Sequence, residues 1–340
     1  MSAASAGGAV STPGATDATS DEVLRVKDLR IYYHTHSGLV RAVDGVSFSL
    51  GKGKRLGLVG ESGSGKTTTA LALMRLLHPA GRIEGGQIWL GDVDVTKLSD
   101  QEMRRVRFSQ VSLVPQGAMN SLNPVMRIRE QFVDTMTAHG ERPTNNEADK
   151  RVYALLDRVR LRRQVARMYP HELSGGMKQR VCIALAITLQ PRLIIADEPT
   201  SALDVVVQRQ VMETLGQVQS ELGAAVILVG HDMGLMAQFV DQLAVMYAGR
   251  IVEMGPVRDI LEEPLHPYAR MLIQSLPSLE GRHVFKGIPG VSPSLLDPPA
   301  GCAFHPRCPM ATPRCSTEVP EFREVRPGRS AACHLVAVGQ

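Results

Sequence analysis

The sequence is poor in aromatic residues, in cysteine and in long apolar runs, and each shortage excludes a class of protein. Aromatic side chains make up 4% of the 340 residues, so the core must be built from Ala, Val, Leu, Ile and Met. Five cysteines are too few for a secreted scaffold held together by disulfides. The best candidate for a membrane span, residues 181–196, is interrupted by Gln190, Pro191 and Arg192, whereas a span needs roughly 20 apolar residues. No transmembrane helix is therefore expected.

The composition and charge are those of an ordinary globular protein. Hydrophobic residues account for 44% and charged residues for 21%, and the net charge is +4. A charge bias this small does not indicate a protein that binds nucleic acid or a membrane surface. At roughly 150 residues per domain, the length suggests about two domains. Residues 1–21 contain no Lys or Arg and no apolar segment of the kind found in signal peptides. They predict a disordered tail rather than a signal peptide, and we expect a soluble, cytoplasmic protein.

Short apolar runs alternate with helix-forming stretches along most of the chain. Residues 55–59 (RLGLV) predict a strand, a Gly/Ser-rich loop follows, and residues 67–77 predict a helix. Other strands are predicted on both sides of a turn at 34–38 and at 193–196 and 225–229, and other helices at 127–136, 147–159, 174–189 and 206–222. Strands that alternate with helices at this spacing favour an α/β fold with substantial parallel content.

Residues 60–67 read GESGSGKT and match the phosphate-binding pattern G-x-x-x-x-G-K-[ST]. The glycines allow a tight turn that brings backbone N–H groups against phosphate oxygens, and the helix that follows directs its N-terminus at the same anion. Lys66 supplies a positive charge for the β- and γ-phosphates, and the Thr67 hydroxyl is suited to Mg²⁺. The alternative is a Gly/Ser turn that precedes a helix by chance.

Residues 193–198 read LIIADE, which is four apolar residues followed by two carboxylates where the strand would end. Ligands of open α/β sheets bind at the carboxyl ends of strands. Asp197 is therefore suited to Mg²⁺ coordination, and Glu198 is suited to polarise an attacking water. The alternative is a strand that simply meets solvent at its end.

Residues 173–180 read LSGGMKQR and open a predicted helix. A Ser and two glycines at a helix start form a second anion-binding N-terminus, which would be redundant within one nucleotide site. It makes sense if this segment closes over the nucleotide of a different subunit. The alternative is a glycine-rich helix start, capped by Ser174, without a ligand.

These motifs, in this order between about residues 23 and 255, resemble those of the nucleotide-binding subunit of an ABC transporter. The resemblance implies a P-loop ATPase cassette at residues 22–265, with a RecA-like core, a helical subdomain at about 100–180 and an N-terminal antiparallel β part. It also implies a Mg²⁺-ATP site shared by two ATPase subunits. The signature segment of one subunit would cap the P-loop of the other, and the chain would be an ATPase.

The resemblance implies a role for each residue that matches a family motif. Nucleotide binding is assigned to Tyr33, Gly60, Ser62, Gly63, Ser64, Gly65, Lys66, Thr67 and Thr68. Catalysis is assigned to Glu198, His231 and Gln116, and Mg²⁺ coordination to Thr67, Gln116 and Asp197. The signature that acts on the partner's nucleotide comprises Ser174, Gly175, Gly176 and Gln179, and Asp204 lies at the subunit interface. Tyr32 is the alternative to Tyr33 for stacking on adenine, because neighbouring residues of a strand face opposite sides.

The composition changes near residue 281. The last sixty residues hold 9 of the 21 prolines and four of the five cysteines. These residues, the segment HPYARMLIQSLP at 266–277 and the segment LVPQGAMNSLNP at 113–124 resemble ATPase subunits of dipeptide and oligopeptide importers. The resemblance implies a small Cys-rich C-terminal extension at residues 266–340, which we expect to be poor in regular structure.

The cysteines of this extension are Cys302, Cys308, Cys315 and Cys333. A cytosolic location argues against stable disulfides, and no two of these cysteines have the close spacing typical of zinc sites. Four thiolates at wider spacing suit an iron–sulfur cluster, and the resemblance implies a [4Fe–4S] cluster on this set. Bound zinc and four free thiols are the alternatives.

The expected function is that of an ATP-hydrolysing subunit that drives an importer of dipeptides or oligopeptides. The resemblance implies a related partner ATPase, two transmembrane permease subunits, an extracytoplasmic binding protein and a peripheral position on the cytoplasmic face of the bacterial inner membrane, with no nucleic acid. Oligosaccharide or nickel import is one alternative, because other subunits choose the cargo. A soluble ABC ATPase acting on nucleic acid or ribosomes is another, but the sequence shows no sustained heptads or strong basic face.

Overall fold

The computed structural model describes residues 21–117, 121–201, 203–275 and 287–337. The predicted N-terminal tail lies outside these ranges, apart from Asp21. None of the helices in the described ranges combines the length and the hydropathy that a bilayer span requires.

The chain begins with an antiparallel sheet. β1 (Glu22–Thr35) and β2 (Gly38–Gly51) form a hairpin around the predicted turn. β3 (Arg55–Val59) belongs to a second sheet and leads through the glycine-rich loop to α1 (Lys66–Leu73), which is shorter than the predicted helix. β4 (Gly81–Leu90) and β5 (Val93–Asp94) complete the first sheet in the order β2-β1-β4-β5.

The middle of the chain is mainly helical. Its helices are α2 (Asp100–Val106), α3 (Ile128–Ala138), α4 (Asn145–Arg158) and α5 (Gly175–Ala186). One strand, β6 (Val111–Val114), lies between α2 and α3. Reciprocal capping boxes start α2 and α4, where Ser99 pairs with Glu102 and Thr144 pairs with Glu147. Helices α3, α4 and α5 confirm three predicted helices within about two or three residues at each end, the usual uncertainty of helix boundaries.

The second sheet carries the parallel strands that the sequence predicts. The elements that follow α5 are β7 (Leu193–Asp197), α6 (Val205–Leu222), β8 (Ala225–Val229), α7 (Met233–Phe239), β9 (Gln242–Tyr247) and β10 (Arg250–Pro256). β3 pairs in parallel with β8 and with β9, β8 with β7, and β7 with β6. Every residue of β7 and β8 is buried, as expected for parallel strands covered on both faces. Their carboxyl ends therefore lie at one edge of the sheet.

The C-terminal residues extend this second sheet. After α8 (Val257–Glu262) and α9 (Pro267–Gln274), two short strands, β11 (Arg323–Arg326) and β12 (Arg329–Ala331), form a hairpin. β12 pairs with β10, so the sheet order is β11-β12-β10-β9-β3-β8-β7-β6. The sequence predicted little regular structure here. Within residues 287–337 the only regular elements are this hairpin and two short 3₁₀ turns. The hairpin joins β10 through backbone pairing and through a buried ion pair between Arg329 and Glu253, a partner that local sequence does not reveal.

Candidate nucleotide site

The predicted phosphate-binding loop joins the carboxyl end of β3 to α1. Gly60 and Gly65 have φ angles of 151° and 101°, which other residues rarely adopt. Neither position has room for a Cβ atom. A Cβ on Gly60 would collide with the carbonyl oxygen of Met246, and one on Gly65 with that of Ala42. Glycine allows this close approach of backbone to backbone. The strand–loop–helix arrangement supplies the backbone N–H groups and helix N-terminus to which phosphate binds in proteins.

The side chain of Lys66 folds back onto this loop and is held there by hydrogen bonds. Its Nζ donates to the carbonyl oxygens of Gly60 at 2.8 Å and Glu61 at 2.9 Å, and it lies 3.3 Å from the hydroxyl of Ser64. Burial lowers the pKa of the Lys66 ammonium, while the nearby carboxylates of Glu198, Asp197 and Glu61 oppose that shift. Ser64 is buried with the lysine, whereas Ser62 and Gly63 are exposed at the tip of the loop. The loop thus places the ammonium group of Lys66 where a phosphate would bind.

Thr67 connects α1 to the end of β7. Its hydroxyl donates to Asp197 Oδ1 at 3.2 Å, and burial raises the pKa of the Asp197 carboxyl. The neighbouring Thr68 lies 3.5 Å, between hydroxyl oxygens, from Tyr33. Tyr32 faces elsewhere and donates to Asp44 Oδ1 at 2.8 Å. Of the two tyrosines, Tyr33 therefore lies on the side of the phosphate-binding loop.

Three side chains that the sequence predicts to act together do meet at the carboxyl edge of the second sheet. Gln116, after β6, donates from Nε2 to Glu198 Oε2 at 2.8 Å. His231, after β8, places Nδ1 3.4 Å from Glu198 Oε1. Glu198 has a φ of 43°, an uncommon conformation for a residue other than glycine that is typical of functional sites. Its backbone N–H donates to the carbonyl of Val229 at 2.9 Å, which holds it in place.

Comparison with known proteins agrees with this geometry. The family profile "ABC transporter" matches residues 43–201, and the profile "Oligopeptide/dipeptide transporter, C-terminal region" matches residues 252–315. The oligopeptide transport ATP-binding protein OppD of Escherichia coli (strain K12) is 44% identical over 92% of this chain and 93% of its own. The dipeptide transport ATP-binding protein DppD of Caldanaerobacter subterraneus subsp. tengcongensis is 41% identical over 94% of this chain and 98% of its own.

The chain belongs to the ABC-transporter ATP-binding proteins. Among solved structures, a dimeric ATP-binding cassette in a post-hydrolysis state, bound to ADP and phosphate, aligns with a TM-score of 0.62 and 26% identity. The alignment covers 69% of this chain and 99% of that cassette. The predictions of the cassette fold, of an ABC-type ATPase and of the dipeptide/oligopeptide family are confirmed.

The predicted signature segment of this cassette lies at the start of α5. Ser174 is the N-cap, and its hydroxyl accepts from the N–H of Met177 at 3.4 Å. Gly175 and Gly176 form the first turn, and a Cβ on Gly176 would collide with the side chain of Val207. The start of α5 therefore packs on the start of α6. Asp204 is the N-cap of α6 and accepts from the N–H of Val207 at 3.0 Å.

Gln179 lies one turn further along α5 and is buried. Its Nε2 has no hydrogen-bond partner within the described part of the chain. An amide donor buried without a partner is rare in proteins. The predicted roles of the four signature residues and of Asp204 toward a second subunit stay predictions.

The sequence did not indicate the roles of three residues at the site, Glu61, Arg307 and Tyr268. Glu61 occupies a variable position of the phosphate-binding motif, yet its carboxylate receives Nη1 and Nη2 of Arg307 at 2.7 Å and 2.9 Å. Arg307 belongs to the C-terminal extension, 246 residues away. The hydroxyl of Tyr268, in the HPY segment, accepts from the N–H of Glu61 at 2.8 Å. In the sequence, the HPY segment indicated the resemblance to peptide-importer subunits, but it did not indicate the contact of Tyr268 with the phosphate-binding loop.

The predicted metal site on the four extension cysteines is not supported by the described geometry. All four are free thiols, and across the ranges that the structure describes no three His, Cys, Asp or Glu side chains are arranged to hold a metal ion. The pKa of the Cys302 thiol is raised to about 11, mainly by burial and to a smaller extent by the other three cysteines. Burial also raises the pKa of Cys308 and Cys333.

Proposed function

We propose that this ATPase energises the import of dipeptides or oligopeptides, together with a related ATPase subunit, two transmembrane permeases and an extracytoplasmic binding protein. The observation that supports catalysis is the meeting of Gln116, Glu198 and His231 beside Lys66. The cargo is inferred from relatives named for oligopeptide and dipeptide transport, and the partners are inferred from the family resemblance. We also infer a peripheral position on the cytoplasmic face of the bacterial inner membrane.

The side chains present suit a magnesium–ATP substrate. Lys66 and the loop N–H groups would bind the β- and γ-phosphates, and Tyr33 would stack on adenine. Thr67, Asp197 and Gln116 offer the hydroxyl, carboxylate and amide oxygens that Mg²⁺ prefers. When bound, Mg²⁺ neutralises charge on the phosphates. Among these groups, Asp197 and Thr67 already share a hydrogen bond of 3.2 Å.

Glu198 is proposed to polarise the attacking water. Gln116 and His231 contact its two carboxylate oxygens from the carboxyl ends of β6 and β8, the two strands that flank β7, so the carboxylate is oriented before the substrate binds. Closure of a second subunit over the site would bring its signature segment, equivalent to residues 174–179 here, against the γ-phosphate and exclude solvent.

The substitution Glu198→Gln tests this assignment in the assembled transporter. It preserves the side-chain volume but removes the base, so ATP binding should persist while hydrolysis falls by about 100-fold or more. Peptide uptake should be lost with hydrolysis. Glu213→Gln, on the exposed face of α6 where Glu213 pairs with Arg209, is the matched control and should keep normal turnover. Near-normal hydrolysis by Glu198→Gln would contradict the proposed role.

The cargo is tested separately with the complete transporter in vesicles. Stimulation of ATP hydrolysis and uptake by dipeptides or longer peptides would support the proposal. Stimulation by nickel or oligosaccharides alone would assign the same ATPase role to a different importer. Tight binding of nucleic acid by the isolated chain would overturn the transport assignment.

A [4Fe–4S] cluster on Cys302, Cys308, Cys315 and Cys333 is proposed from the family resemblance, with zinc or free thiols as the alternatives. The proposal rests on that resemblance, because no three His, Cys, Asp or Glu side chains of the described residues are arranged to hold a metal ion. Anaerobic purification of the full chain with iron and zinc analysis decides the question. Stoichiometric zinc without iron, or no metal, would reject the cluster.

A further inference from the structure

The carboxylate of Glu61, in the phosphate-binding loop, is hydrogen-bonded by residues of the C-terminal extension. Arg307 donates to both carboxylate oxygens, at 2.7 Å and 2.9 Å, and the hydroxyl of Ser292 donates to Oε2 at 2.8 Å. A bidentate contact of this kind fixes orientation as well as distance, because the planar guanidinium matches the carboxylate. The loop is therefore tied to a segment 246 residues further along the chain.

The backbone of Glu61 carries this connection to the lysine. Its N–H donates to the hydroxyl of Tyr268 at 2.8 Å, and its carbonyl oxygen accepts from Lys66 Nζ at 2.9 Å. The side chain, N–H and carbonyl of Glu61 thus contact, in turn, Arg307, Tyr268 and Lys66. A shift of Glu61 would move a hydrogen-bond partner of Lys66.

Arg307 is itself fixed before it reaches Glu61. Its side chain is 5% exposed, Nε donates to the carbonyl of Pro289 at 2.8 Å, and Nη2 donates to that of Ile288 at 3.2 Å. The guanidinium also lies 5.8 Å from the ring centre of Tyr247, whose hydroxyl is 3.2 Å from Nη1. An arginine held this way loses little further entropy when it binds a carboxylate.

Tyr268 is supported by a second set of contacts. Its N–H donates to Nδ1 of His266 at 3.0 Å, which caps α9. The N–H of His266 donates to Glu253 Oε2 at 2.8 Å, and Glu253 pairs with Arg329 of β12 at 2.9 Å. The extension, residues 266–340, thus reaches Glu61 directly at two places, through Arg307 and through Tyr268, and the hydrogen bonds of His266, Glu253 and Arg329 support Tyr268.

We propose that Arg307 is a positioning residue for ATP binding, which acts through Glu61 to hold the first turn of the phosphate-binding loop and Lys66 in place. Arg307 contacts the loop through the carboxylate of Glu61 and is not assigned a contact with the nucleotide. The inference rests on the proposed role of Lys66 in binding phosphate. It gives the extension a function in the ATPase reaction that is independent of any metal on its cysteines.

The test compares arginine substitutions in the full chain. Arg307→Met should raise the Kd and the KM for ATP about tenfold, the factor that 1.4 kcal/mol produces, with a smaller effect on kcat at saturating ATP. Arg307→Lys should recover part of the affinity, because a charge remains without the bidentate geometry. Arg326→Met is the control: Arg326 also joins the extension to the cassette, through Glu263, but on the surface and away from the loop. Its KM for ATP should match that of the wild type.

A double-mutant cycle with Glu61→Gln separates positioning from general stabilisation. If Arg307 acts through Glu61, Arg307→Met should have little further effect on the KM once the Glu61 charge is gone. An unchanged KM in Arg307→Met, or an equal effect in both backgrounds, would overturn the proposal. If Arg307→Met does not fold, Arg307→Lys and Glu61→Gln carry the same comparison.

Lys66→Ala, measured alongside, tells the two hypotheses apart. Undiminished ATP binding by Lys66→Ala would reject the proposed phosphate site itself. Loss of binding in Lys66→Ala with an unchanged KM in Arg307→Met would reject only the positioning role.

Discussion

At the scale of single residues, His266 shows how one buried side chain makes stability depend on pH. It is fully enclosed, and its Nδ1 accepts a backbone hydrogen bond from Tyr268. Burial lowers the pKa of His266 from 6.5 to about 3. Between these two values the unfolded chain binds a proton that the folded chain excludes. The free energy of unfolding therefore falls as the pH drops below 6.5.

The loss of unfolding free energy at low pH leads to a prediction for His266→Asn. Asparagine accepts the same hydrogen bond and is a favoured N-cap, but it does not titrate. Between about pH 7 and about pH 5, the wild type should lose about 2 kcal/mol of unfolding free energy more than the variant. Urea unfolding at both pH values measures the difference. His171→Asn, at an exposed position, should behave like the wild type, and an identical pH dependence in His266→Asn would contradict the expectation.

Residues of the site differ in how far the sequence reveals them. Lys66, Thr67, Asp197 and Glu198 stand at fixed positions of a strand–loop–helix or a strand end, so type and spacing suffice to indicate them. Glu61 looks like a variable position of the same motif. Its contact with Arg307 arises only when distant segments fold together, and no local pattern encodes such a pairing.

At the scale of elements, the buried parallel strands were the most predictable. The strands Arg55–Val59 and Ala225–Val229 match the prediction at both ends, because strands covered on both faces read as unbroken apolar runs. α1 was predicted to residue 77 but ends at Leu73. Arg107 donates to the carbonyls of Met74 and Arg75 at 2.9 Å and 3.0 Å. This distant side chain caps the helix early, which helix propensity alone does not foresee.

A buried ion pair helps to attach the hairpin β11–β12 to the second sheet, and its removal gives a prediction at this scale. Arg329 and Glu253 are 4% and 0% exposed, and Nη2 lies 2.9 Å from Oε1. Arg329→Met would leave a buried carboxylate without its cation, at a cost of about 3 kcal/mol of unfolding free energy. The exposed pair between Arg326 and Glu263 should cost at most about 1 kcal/mol when Arg326→Met breaks it.

Urea unfolding of both variants provides the comparison. Adding Glu253→Gln to Arg329→Met should recover part of the loss, because the buried group is then neutral. Equal stability of Arg329→Met and Arg326→Met would show that the hairpin is held to the sheet by other contacts.

At the scale of the whole molecule, two adjacent valines at the start of α6 are among the most exposed large apolar side chains of the described residues. Val205 and Val206, in the first turn of α6, are 79% and 68% exposed. They directly follow Asp204, the residue assigned to the subunit interface, and they lie close to the start of α5 because Val207 packs on Gly176. Exposed apolar side chains gathered beside a predicted interface favour contact with a second subunit.

The substitution Val206→Glu tests this surface. A buried carboxylate would oppose association, whereas an acidic residue in the first turn of a helix stabilises the monomer. In the Glu198→Gln background, where ATP should persist, the Kd for ATP-dependent association with the partner subunit should rise about tenfold or more. Light scattering with and without ATP measures it, and Val319→Glu, on the extension at 52% exposure, is the control. Equal association by both variants would place the interface elsewhere, because only the position of the added charge distinguishes them.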